Sequence, residues 1–157
     1  MRRFPLFLAA ALCMVLASGC KDEPEYVAPD SSYGLIYDRI FATNCALSGC
    51  HHEAEKKRDP DGTLPYLAGE AAYTNLLNAT PHDLRAANAD LKLVLPGSPD
   101  SSFLYQKITF DSSAFQFGSA MPTGGLELTA NQIEFVRQWI AAGAPLTGHV
   151  ADRNLID

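Results

Sequence analysis

Two thiols and an imidazole stand together in Cys45-Ala46-Leu47-Ser48-Gly49-Cys50-His51. A cysteine pair followed at once by histidine has the parts of a c-type haem attachment site: two sulfurs for the vinyl groups of the macrocycle and a histidine for its iron. In the common form, C-x-x-C-H, one helical turn brings the sulfurs to vinyl positions that the ring holds fixed. Four residues intervene here. Ser48-Gly49 supplies a glycine free to adopt positive φ, so the extra residues can bulge outward. His51 follows Cys50 directly, as iron ligation requires, because the second thioether pins the chain beneath the ring and its neighbour then lies on the iron axis.

A second axial ligand usually comes from a loop far along the chain, and a thioether there raises the reduction potential. Met121 is the one methionine beyond the leader. His52, His82 and His149 could take its place, and a lone methionine otherwise fills a gap in a core. Without haem, Cys45 and Cys50 could form a disulfide contributing on the order of 2 kcal/mol. Cys45, Cys50, His51 and His52 have the ligand types of a zinc site, but adjacent histidines point apart.

The elements that must position these residues read as helices. Residues 33 to 44 set Leu35, Ile36, Arg39, Ile40 and Phe41 at helical spacing, with Ser31 or Ser32 as cap, and run straight into Cys45. The stretch 53 to 66, EAEKKRDPDGTLPY, is a surface loop. Ala71, Ala72, Tyr73, Leu76 and Leu77 make a short helix beginning near Gly69, and 80 to 92 is mixed. After the turn at 95 to 99, Ser98 can cap a helix starting at Pro99 and carrying Phe103, Leu104 and Ile108. Residues 111 to 128 form the loop holding Met121. Thr129 then caps a last helix from Ala130 to about Ala142, with Ile133, Val136, Trp139 and Ile140 on one face and a stop at Gly143. No strand alternation or internal repeat appears, so the expected class is all-α with long loops.

The 157 residues allow one domain, preceded by a leader. Arg2 and Arg3, an apolar run from Phe4 to Leu16 and the small residues Ala17, Ser18 and Gly19 make a secretory signal over 1–19. The run is shorter than the roughly 18 residues expected of a membrane span. Leu16-Ala17-Ser18-Gly19-Cys20 resembles the bacterial lipobox, which implies lipidation at Cys20 and attachment to a membrane through lipid. Residues 20–32, with Pro24 and Pro29, suit a flexible tether. Removing the leader leaves 10 basic against 18 acidic residues, so nucleic acid is not an expected partner. Cys13 leaves with the leader and Cys20 takes lipid, so Cys45 and Cys50 need a joint explanation.

Taken together, a helix entering a Cys-His site, then LVLPGSPDSSFLYQKI at 93 to 108 and MPTGGLELTANQIEFVRQWIAAGAP at 121 to 145, resembles the small monohaem cytochrome c-like domains of bacterial exported proteins. The resemblance covers residues 33–146, leaving 147–157 as a C-terminal tail. It implies one covalent haem c on Cys45 and Cys50, with His51 as proximal and Met121 as distal ligand, and Trp139 and Phe41 where the first and last helices pack. The implied function is electron transfer with a redox protein partner, without enzymatic activity, on the periplasmic side of a bacterial membrane or at the cell surface. The alternatives are a haem-based sensor or peroxidase-like protein if an axial position is open, and a haem-free lipoprotein module stiffened by a Cys45–Cys50 disulfide. Nothing suggests a catalytic triad or a phosphate loop.

Overall fold

The computed structural model describes residues 30–52, 65–68, 71–109, 117–124 and 127–156. The leader, Cys20, most of the tether and much of the charged stretch 53 to 66 lie outside them. In chain order come α1 (Ser32–Ile36), a π-helical stretch that continues it (Tyr37–Cys45), α2 (Ala71–Leu76), α3 (Leu84–Asn88), a 3-10 turn (Pro99–Ser101), α4 (Phe103–Ile108), α5 (Ala130–Ala141) and a closing 3-10 turn (Arg153–Leu155). The described residues contain no strand; their extended pairing is limited to two isolated bridges, Leu77 with Val94 and Lys92 with Ser102. The fold is helical, as the sequence pattern predicts.

The first helix starts where a serine can satisfy a free backbone donor: Ser31 Oγ accepts from the Gly34 N–H at 3.0 Å. From Tyr37 onward the turn widens, and the Ala46 N–H donates at 2.6 Å to the Phe41 carbonyl, five residues back. This departs from the regular helix expected over 33 to 44. Ile36, Ile40, Phe41 and Cys45 are buried along the widened stretch and join the main core.

That side packs against α5. Phe135, Val136, Trp139 and Ile140 are fully or almost fully buried and share one core with the first helix. The Tyr33 ring lies among the aromatics, 6.4 Å from Phe41, 5.6 Å from Trp139 and 4.9 Å from Tyr73 between ring centroids. Two polar tips are satisfied by the chain leaving α5: Trp139 Nε1 donates to the Pro145 carbonyl and Tyr73 Oη to that of Ala144, each at 2.9 Å. Burying side chains of this size stabilises by roughly 1.5–3 kcal/mol each, so this contact is a substantial part of the core. Thr129 and Gln132 close a reciprocal capping box at the start of α5, as the sequence predicts. Gly143, at φ +97°, ends it.

The segment beyond 146, expected as a tail, is packed. Ser31 Oγ donates to the Leu146 carbonyl, and Ser32 Oγ accepts from the Val150 and Ala151 N–H groups at 2.9 and 3.2 Å. Ala151 and Ile156 are buried in the main core. The packed unit therefore runs from Ser31 to Ile156, wider at both ends than the expected 33–146.

Two further details differ from the sequence reading. Ser98 makes no side-chain cap; its carbonyl instead accepts from Ser102 Oγ at 2.8 Å, and a 3-10 turn precedes α4. The mixed stretch 80 to 92 contains α3, capped by Asp83, whose carboxylate accepts from the Arg85 and Ala86 N–H groups at 2.9 and 3.2 Å. The extended run 91 to 95 ties these pieces together, with Leu93 N–H donating to Ala79 O at 2.7 Å and Leu104 N–H to Leu93 O at 3.0 Å.

Two outcomes follow from the caps. Thr129→Ala removes one partner of the capping box and should lower unfolding free energy in urea by about 1 kcal/mol; an unchanged midpoint would show that the box contributes nothing. The Arg85 guanidinium, 2.9 Å from the Asp83 carboxylate, together with the two N–H groups holds the Asp83 pKa down to about 2. A pKa depressed below its unfolded value of about 3.9 contributes stability that is present above that value and is lost as pH falls through about 2. The Asp83 carboxyl resonance should titrate with a midpoint near 2, and a midpoint at about 4 would mean the cap is not formed.

Candidate cofactor site

The helix end, the loops on either side of α2 and the Met121 loop surround a cavity of about 780 Å³. Cys45, Cys50, His51 and Met121 all line it. Three of them are near neighbours in the sequence, and the fold brings Met121, 70 residues beyond His51, to the same cavity.

Each is positioned by identifiable local structure. Cys45 is the last residue of the π-helical stretch and is buried, and burial pushes its thiol pKa up to about 12. Cys50 is exposed, and both cysteines are free thiols. Between them the chain folds back on the helix end: the Cys50 N–H donates to Leu47 O at 3.0 Å and the His51 N–H to Cys45 O at 3.1 Å. Gly49 takes φ +85°, with nothing within 4 Å of where a side chain would start. The glycine thus permits a backbone conformation that side-chain-bearing residues rarely adopt.

His51 is held twice by the segment from Pro65 to Leu67. Its Nδ1 lies 2.9 Å from the Pro65 carbonyl oxygen, and its own carbonyl accepts from the Leu67 N–H at 2.9 Å. A carbonyl oxygen can only accept, so Nδ1 carries the proton and the neutral ring keeps its lone pair on Nε2. A histidine whose second ring nitrogen is committed to a carbonyl has the outer-shell arrangement of a metal ligand. Burial lowers the His51 pKa, the carbonyl partly opposes this, and the charge of Lys107 adds to the lowering. The balance favours the neutral ring.

Met121 is half-buried on a loop fixed to α4 through its N–H, which donates to Lys107 O at 2.6 Å. Leu67, Leu76, Leu93, Leu104 and Ile108 give the cavity apolar walls. A largely apolar cleft with a few convergent polar groups is the usual form of a cofactor site. Of the histidines considered in place of Met121, His82 lines the cavity, whereas His149 lies 3.7 Å from Asp30 and, like His52, is not among the lining residues. Among the described residues no three His, Cys, Asp or Glu side chains are grouped to hold a metal ion, which gives the zinc arrangement no support.

The sequence reading did not single out Pro65, Asp83 or Lys107 as parts of the site. Pro65 acts through a backbone carbonyl, which carries no side-chain signature, and its neighbours read as a polar loop. Lys107 looks like an ordinary charge on an amphipathic helix. Asp83 followed by Leu-Arg-Ala-Ala was a legible N-cap signal in a stretch taken as mixed. Comparison with known proteins adds no relative: no family model, curated protein or solved structure matches the chain.

Proposed function

We propose that this chain is a c-type cytochrome, an exported and lipid-anchored electron carrier with one haem in a cytochrome c-like all-α fold. The observation that carries the reading is the convergence of Cys45, Cys50, His51 and Met121 on one cavity, with His51 already fixed through Nδ1 to the Pro65 carbonyl. The donor set fits the group: two free thiols for thioether bonds, a neutral imidazole with Nε2 available, and a thioether sulfur as second axial ligand. A haem held there supplies one-electron chemistry at its iron.

The protein's part is to orient and to exclude. The Pro65 carbonyl fixes the rotation of the His51 ring and strengthens it as a donor. The apolar walls disfavour added positive charge within the site, which favours the reduced state of a bound group. His51 and Met121 would together hold the iron of such a group, which favours electron transfer to a protein partner over catalysis as the function.

The tether fits this role. With Ser31 and Ser32 packed into the domain, the stretch from Cys20 to Pro29 can span at most about 36 Å at roughly 3.3–3.6 Å per residue, which would keep the domain near a membrane surface. No helix among the described residues is long and apolar enough to cross a membrane, so the lipid on Cys20 is the proposed attachment, on the periplasmic side or at the cell surface.

Three experiments test the proposal. Protein made in a host that assembles c-type cytochromes should keep its porphyrin absorbance after denaturation and gain the mass of one haem; loss of all porphyrin on denaturation would overturn it. In that protein, Met121→Ala should retain the haem, bind carbon monoxide and show a potential lower by on the order of 100 mV, a fraction of the roughly 0.8 V that axial ligands span. An unchanged spectrum and potential would remove Met121 from the iron. Separately, Cys20→Ala should move the protein from the membrane fraction to the soluble one, and continued sedimentation with membranes would exclude the lipid anchor.

A further inference from the structure

Lys107 touches the Met121 loop at three places. Its backbone carbonyl accepts from the Met121 N–H at 2.6 Å. Its ammonium group donates to the Phe117 carbonyl at 3.4 Å and to the Ser119 carbonyl. Between those carbonyls, Gly118 takes φ +88°, and a Cβ there would lie 3.9 Å from Lys107 Nζ. The ammonium also sits 5.7 Å from the Phe103 ring centroid, and that ring meets Phe117 edge to face at 5.9 Å. Phe103, Lys107, Phe117 and Met121 all line the cavity.

A loop without a helical or sheet ladder has few internal bonds to fix it, and a thioether is a weak ligand that must be held in place to stay bound. The chain from Phe117 to Met121 meets both conditions. Its backbone is gathered by one half-buried ammonium ion on a rigid helix, through charge-assisted bonds about twice as strong as neutral ones.

We infer that Lys107 is a positioning residue: by drawing the Phe117 and Ser119 carbonyls onto α4 it sets where the Met121 sulfur stands in the cavity. The inference rests on the haem reading of the site. Lys107 touches no reacting atom in this role; it acts through the loop. Its substitution should therefore alter ligation while leaving covalent attachment at Cys45 and Cys50 intact.

The test uses the full chain carrying Lys107→Leu, with Lys107→Arg as the conservative rescue, since a guanidinium can donate to both carbonyls. In haem-free protein, amide exchange at Met121 should be about tenfold faster in Lys107→Leu, the weight of one charge-assisted hydrogen bond, with exchange at Phe135 and Trp139 unchanged. In haem-loaded protein, Lys107→Leu should keep its porphyrin on denaturation, bind carbon monoxide about tenfold more tightly than the parent and shift its potential toward that of Met121→Ala. Lys107→Arg should restore all of these. Should the leucine variant fail to fold, Lys107→Gln, with one neutral donor, carries the same test at about threefold amplitude. A haem-loaded leucine or glutamine variant with parental potential and carbon monoxide affinity would overturn the positioning role alone, whereas a parent chain without porphyrin would overturn the haem reading and the positioning role with it.

Discussion

The hydrogen bond between His51 Nδ1 and the Pro65 carbonyl joins two segments that have no ladder of their own. One is the return from the π-helical stretch through Gly49 and Cys50; the other is the approach to α2. With the Leu67 N–H bound to the His51 carbonyl, the pair forms a two-point clamp. It fixes the tautomer of the imidazole, and it sets the distance between the wall that carries the cysteines and the wall that carries Leu67 and Leu76. The site needs that constraint because neither loop is long enough in regular structure to hold a side chain to a fixed direction.

The clamp follows a first helix whose closing stretch, Tyr37–Cys45, is widened rather than regular. Ile36, Ile40, Phe41 and Cys45 are all buried along it. Widened helical turns are rare and frequently found at functional sites. Here the widened stretch ends in a buried sulfur, with the imidazole one loop later.

How much of this is legible in the sequence depends on where the information resides. The last helix is readable in full, since its start is a Thr-x-x-Gln capping box, its face follows the 3.6-residue period and its end is a glycine at positive φ. The four site residues are readable because cysteine, histidine and methionine are scarce and their chemistry is distinctive. Phase is harder: apolar residues at 36, 40 and 41 suit a regular helix and a widened one equally well, and the pattern does not separate them. The Pro65 carbonyl is invisible because every residue has one. The buried hydroxyls of Ser31 and Ser32 could be read as caps, but their bonds to Leu146, Val150 and Ala151 span more than a hundred residues, so the packed end of the chain reads as a tail.

The core and the cavity are not separate parts, because Cys45, Leu67, Leu76 and Ile108 belong to both. Protein interiors are close-packed and transmit displacement, so the position of α5 reaches the site through Phe41 and then Cys45. The loop carrying Met121 is coupled to the core differently, through Lys107 and α4, and its neighbours Phe103 and Phe117 belong to a second, smaller cluster. His51 thus rests on the clamp next to the main core, and Met121 on α4, which meets the main core through Ile108 and the smaller cluster through Phe103.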